Sequence, residues 1–169
     1  MRYFNGFSLK GEEELFKEYL IDSDFLVAGF SYGAIEAFEY VYSSRKRVDR
    51  LILLSPAIFQ NYKKSFMRVQ LRYFNADKNS YIEQFLKNVS YPSNIDLKEY
   101  LSMGTSCELE ALLSYIWDRD RVLELIDRGV TIEVFIGGRD KIIDSSNSFN
   151  FFSPITTTYL LKDVGHILR

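Results

Sequence analysis

Two continuous apolar runs stand out along the chain. Phe25-Leu26-Val27-Ala28 is bounded by Asp24 and Gly29, and Leu51-Ile52-Leu53-Leu54 is stopped by Ser55-Pro56. Unbroken rather than alternating apolar residues fit strands covered on both faces, as in a parallel sheet. Thr131 to Ile136 and Thr156 to Leu161 predict two further strands, and the short β-prone stretch from Met1 to Phe4, closed by Asn5-Gly6, predicts a first one. Helical spacing fills the gaps. From Glu12 to Leu20 the residues Leu15, Phe16, Tyr19 and Leu20 share one helix face, and the run Glu12-Glu13-Glu14 suits the positive end of that helix's dipole. Gly33 to Tyr42 predicts a second helix. Thr105 with Glu108 forms a capping box that opens another through Trp117, and Arg119 to Arg128 reads as one more, ended by Gly129. Strands alternating with helices predict an α/β fold over residues 1–169: a mostly parallel sheet with helices on both faces. Residues 58–104 break the alternation. They are rich in Tyr, Phe, Lys, Arg and Asn, and they predict an insert of short amphipathic helices laid over the rest.

Composition narrows the class. The chain has 169 residues, 47% of them apolar, with 14 Phe and 12 Tyr, enough to bury a core at this length. A net charge of −2 gives no reason to expect nucleic acid or an anionic membrane as partner. The single cysteine, Cys107, cannot form an internal disulfide and no apolar stretch follows Arg2, so a cytoplasmic location is expected. No apolar run reaches the roughly 20 residues needed to span a bilayer. One His and one Cys cannot build a metal cluster, and neither a metal nor a cofactor is expected.

In a parallel sheet, chemistry collects at the carboxyl ends of the strands. Four loops begin there: residues 5–7, 29–33, 137–144 and 162–166. The second is Gly29-Phe30-Ser31-Tyr32-Gly33, a G-x-S-x-G nucleophile elbow. Its sharp strand-to-helix turn leaves no room for side chains at the two glycines and presents Ser31 at the tip. A serine hydroxyl needs a base to take its proton. His166 is the one histidine in the chain, so it is the candidate base. A histidine base needs a carboxylate to fix its tautomer. Asp140, in the loop after the fourth strand, is the favoured acid. Asp144 is expected to cap the following helix, and Asp163 lies too close along the chain to reach the far ring nitrogen. Two N–H groups should hold the oxyanion: that of Tyr32, just after the nucleophile, and that of Phe7 in the Asn5-Gly6-Phe7-Ser8 loop. Cys107 and Trp117 are expected to be inert and core-packing respectively.

On Gly29-Phe30-Ser31-Tyr32-Gly33, Asp140 and Gly165-His166 the chain resembles the α/β hydrolases over nearly its whole length. Members of that superfamily typically carry two antiparallel strands before the oxyanion strand, so the fold is expected to lack its first strands. Where the family often has His-Gly in the oxyanion loop, this chain has Asn5-Gly6. More narrowly, the Tyr3-Phe4-Asn5-Gly6-Phe7 opening, Gly29 to Ala34, and Ser55-Pro56-Ala57 followed by an aromatic and basic insert look like the short biotin-synthesis esterases. Those enzymes hydrolyse pimeloyl-[acyl-carrier protein] methyl ester. This likeness implies release of methanol and free pimeloyl-[acyl-carrier protein], with an acyl-carrier protein as partner. Lys64, Arg68 and Arg72 lie four apart on a predicted helix of the insert and form a basic stripe that suits an acidic carrier protein; a solvated charged face would look the same. Three other readings fit the sequence: a carboxylesterase or thioesterase acting on free small substrates, a non-catalytic acyl-binding relative, and a lipase resting on a membrane through the basic insert.

Overall fold

The computed structural model describes residues 1–169. Five strands, β1 (Arg2–Phe4), β2 (Leu26–Phe30), β3 (Arg50–Leu54), β4 (Thr131–Gly137) and β5 (Thr157–Leu161), form one sheet in the order β1-β2-β3-β4-β5. Every pairing is parallel, with Leu26 opposite Arg50, Leu51 opposite Ile132 and Phe135 opposite Tyr159. All five residues of β2 are buried, the consequence of a sheet covered on both sides.

The helices are α1 (Tyr32–Ser43), α2 (Lys64–Ala76), α3 (Lys78–Ser90), α4 (Ser106–Ser114), α5 (Arg119–Asp127) and α6 (Ser145–Phe152). Side chains of α1, α5 and α6 pack with Val27, Leu51, Leu53, Ile132, Val134 and Ile136 on one face of the sheet. Trp117 is 2% exposed there and donates its indole N–H to the Ala57 carbonyl, as expected of a core residue. On the opposite face, Leu26, Ala28, Phe30, Ile52 and Leu54 are covered by Phe16, Val89, Leu97 and the chain end Ile167-Leu168.

The strand sequence explains this division. In a sheet wound in one direction, right-handed crossovers place every connecting helix on the same face, and α1, α5 and α6 obey that rule. The β1–β2 connection runs on the other face, where the Phe16 ring packs 4.8 Å from Phe30. It therefore crosses with the opposite hand. The helix expected over residues 12–20 is a short 3-10 helix, Glu12–Phe16, opened by Gly11 at φ 79°. The acidic run Glu12-Glu13-Glu14 does fill its first turn, and Glu12 is fully buried there.

The insert forms α2 and α3, as the amphipathic pattern predicts, and Asp77 caps α3 by accepting from the Ser80 N–H. The capping box at Thr105 and Glu108 is present in both directions, but α4 stops at Ser114 rather than continuing through Trp117. Cys107 is exposed and free. No helix is long and apolar enough to cross a membrane.

Candidate active site

The four loops foreseen at the carboxyl edge converge. Ser31 caps the start of α1 with φ 54° and ψ −111°, a conformation that L-residues rarely adopt. The turn around it is closed at both of its glycines. A Cβ on Gly29 would stand 2.1 Å from the Gly33 carbonyl oxygen, and one on Gly33 would stand 2.1 Å from that of Phe4. The elbow is thus tight both across its own turn and against the end of β1.

Ser31 Oγ lies 2.9 Å from His166 Nε2, and His166 Nδ1 lies 2.6 Å from Asp140 Oδ2. These are the serine, histidine and aspartate named from the sequence. Asp140 is oriented by its own loop, where Oδ1 accepts from the N–H of Ile142 at 2.6 Å and of Ile143 at 3.1 Å. The rival acids are elsewhere: Asp144 caps α6, accepting from the Asn147 N–H at 3.0 Å, and Asp163 is exposed. The His166 and Asp140 side chains are fully buried and Ser31 is 2% exposed, so the row is shielded from solvent.

The histidine loop is held from three sides. Ser55 donates its hydroxyl to the His166 carbonyl at 2.6 Å, and the Phe30 ring packs 5.0 Å from the imidazole. Gly165 fits against the insert so closely that a Cβ there would meet the Tyr91 carbonyl at 1.7 Å. Ser55 was visible in the sequence only as a strand stop. No local pattern reveals that it reaches a residue 111 positions away.

The first N–H of α1, that of Tyr32, has no intrahelical acceptor. The Phe7 N–H makes no hydrogen bond with any loop carbonyl. The loop carrying it is tied to the insert's end: Ser102 N–H donates to the Ser8 carbonyl at 3.0 Å, and Gly104 N–H donates to Ser8 Oγ at 3.0 Å. The Phe7 side chain packs between Phe74 of α2 and Phe85 of α3, at 6.0 and 5.5 Å.

Two hollows flank the site. A cleft of about 440 Å³ is bordered by both Phe7 and Tyr32 and also by Lys10, Glu36 and Glu108. Burial, with Glu36 and Glu108 adding to it, holds the Tyr32 phenol above its usual pKa. A larger, mainly apolar cavity of 520 Å³ lies among α2, α3 and α4. Its wall includes Phe85, which touches Phe7, and Ile142, whose N–H holds Asp140. Lys64, Arg68 and Arg72 are all exposed on one side of α2, while Phe74 is buried on the other. No group of His, Cys, Asp and Glu is arranged to hold a metal ion.

The sequence matches no protein-family model. It matches no curated protein either. Solved structures do match. An esterase from Exiguobacterium antarcticum superposes with a TM-score of 0.68 at 16% identity, over 92% of this chain and 63% of that one. Naproxen esterase from Bacillus subtilis gives 0.59 at 17% identity, over 85% of this chain and 53% of that one. BioG from Haemophilus influenzae gives 0.59 at 11% identity, over 98% of this chain and 87% of that one. The chain therefore has the α/β-hydrolase fold. It spans 53% and 63% of the length of the two esterases.

Proposed function

We propose that this protein is a serine carboxylesterase that hydrolyses the methyl ester of pimeloyl-[acyl-carrier protein] in the cytoplasm. The observation that carries the hydrolase reading is the hydrogen-bonded row Ser31–His166–Asp140. In this reading His166 takes the Ser31 proton as Oγ attacks the ester carbonyl, and Asp140 stabilises the imidazolium that forms. The Phe7 and Tyr32 N–H groups donate to the oxyanion. Collapse of the tetrahedral intermediate breaks the bond to the methoxy oxygen, which leaves as methanol with the proton returned by His166. A water, deprotonated by the same histidine, then attacks the acyl-serine and frees the carboxylate.

Four features support the substrate and its carrier. The Tyr3-Phe4-Asn5-Gly6-Phe7 opening and Gly29–Ala34 are like those of the short biotin-synthesis esterases. The structural likeness to BioG runs through nearly all of both chains. The apolar cavity beside the Phe7 loop suits a seven-carbon acyl chain. The exposed stripe Lys64, Arg68 and Arg72 would meet the acidic carrier protein. Mass spectrometry of methyl-pimeloyl carrier protein incubated with the enzyme tests the reading directly. Loss of the methyl group is expected with wild type and not with Ser31→Ala. An unchanged carrier protein, beside turnover of small aryl esters, would leave a carboxylesterase of free substrates.

A further inference from the structure

Glu12 has no part in the chemistry described above, yet its carboxyl group is fully buried. Oε1 accepts from the Gly6 N–H at 2.6 Å and from the Tyr3 hydroxyl at 3.4 Å, while Oε2 is buried with no partner. Burying a carboxylate whose second oxygen is unpaired costs stability. The place it occupies supplies a reason for it. Gly6 and Phe7 share one planar peptide, so the Gly6 C=O and the Phe7 N–H point in opposite directions. The Gly6 carbonyl is tied to the Leu9 N–H at 3.1 Å, and the Gly6 N–H is tied to Glu12. Glycine at this position is required by packing, because a Cβ would stand 2.7 Å from the Phe30 ring. It is also the residue with the most backbone freedom. Anchoring both of its polar groups removes that freedom and sets the direction of the next N–H. A second clasp, Asn5 Oδ1 accepting from the Gly11 N–H at 2.9 Å, closes the same loop.

We propose that Glu12 is a positioning residue whose buried carboxyl group tethers the Gly6 N–H and so aims the Phe7 N–H at the oxyanion. This rests on the serine-esterase reading. Glutamine keeps the acceptor at Oε1, methionine removes it at similar length, and aspartate draws it back by one methylene.

The test compares Glu12→Gln, Glu12→Met and Glu12→Asp on p-nitrophenyl butyrate, with Ser31→Ala alongside and with amide exchange followed at Gly6 and Phe7. A lost oxyanion donor lowers kcat by about 10²–10³-fold, so a misaimed one should cost ~10–100-fold in the Met and Asp variants. KM should move less than about threefold, and the Gln variant should keep kcat within about threefold of wild type. Exchange at Gly6 should quicken in Met and Asp only. A purely structural residue would instead cost activity only as far as it lowers Tm, whereas here kcat should fall in the Met and Asp variants at temperatures where both are fully folded. If the Met variant does not fold, the Asp variant carries the comparison. Wild-type kcat in Met or Asp, equal losses in Gln and Met, or unchanged exchange at Gly6 would each overturn the proposal. Activity that survives Ser31→Ala would instead overturn the esterase reading, and the exchange data would still decide whether Glu12 tethers the loop.

Discussion

Asp140→Asn isolates what the carboxylate does for the histidine, and the structure dictates which way the new amide must face. Asp140 Oδ1 accepts two backbone N–H groups, from Ile142 and Ile143, while Oδ2 faces His166 Nδ1. An asparagine oxygen can replace Oδ1, but the NH2 group cannot, because it would face two donors. Leaving a buried N–H unpaired costs roughly 1–3 kcal/mol, so the reversed amide stands about 2–6 kcal/mol above the other. The NH2 therefore occupies the Oδ2 position and donates to Nδ1. The imidazole proton must then sit on Nε2, the nitrogen 2.9 Å from Ser31 Oγ, and the serine loses its base. A drop in kcat of about 10³–10⁴-fold is expected, with KM nearly unchanged, since nothing that binds substrate has moved. Steady-state hydrolysis of p-nitrophenyl butyrate gives both constants, and the rate of labelling by a fluorophosphonate gives the nucleophile's reactivity separately. Circular dichroism should show an intact fold, because the two backbone bonds to the side-chain oxygen survive. Asp144→Asn and Asp163→Asn serve as controls. Asparagine caps a helix as well as aspartate does, so both should stay within about tenfold, or ~1.4 kcal/mol, of wild type. An Asp140→Asn enzyme within tenfold of wild type, or an Asp144→Asn loss of equal size, would refute the reasoning.

Further outcomes are expected. Ser31→Ala should abolish turnover without unfolding the chain, and a fluorophosphonate should attach once to wild type, at Ser31; a label mapped elsewhere by peptide mass spectrometry contradicts this. Burial, reinforced by the charge of Glu13, pushes the Glu12 carboxyl up to about 7. Tyr3 and Glu13 are the titratable side chains acting on it. The folded state thus keeps a proton that the unfolded chain releases near 4.3, and wild type should lose about 3 kcal/mol relative to Glu12→Gln as pH rises from 4.5 to 7.5, read from urea denaturation at both ends; a pH-independent difference would refute it. Arg68→Glu with Arg72→Glu should lower kcat/KM on the carrier-bound ester and leave p-nitrophenyl butyrate untouched, the effect fading toward 1 M salt where the Debye length is about 3 Å. Equal losses on both substrates would place the arginines in the fold of α2 instead.

The core of the site was legible in the sequence because its constraints are local or forced by scarcity. The elbow glycines stand where a strand turns sharply into a helix, a steric demand contained in five residues. One histidine leaves no choice of base. A cap signature accounts for Asp144 and leaves Asp140 as the acid, and Asp144 does cap α6. Continuous apolar runs announced a parallel sheet, since a strand buried on both faces has no polar side to alternate with. Tertiary structure decided the rest. Glu12, in an acidic run, has the local pattern of a helix start, and only the opposite-handed β1–β2 connection, which lays Phe16 on Phe30, carries it under the Gly6 loop. Ser55, after β3, binds the backbone of His166, after β5, although β4 lies between the two strands; Ser8 ties the residue 5–8 loop to Gly104 at the insert's end, and Phe7 packs it against the helices α2 and α3. Such contacts pair residues whose separation carries no periodic signal. Sequence pattern records the field each residue meets within its own element, whereas buried polar partners between elements are chosen by the packing of the whole chain.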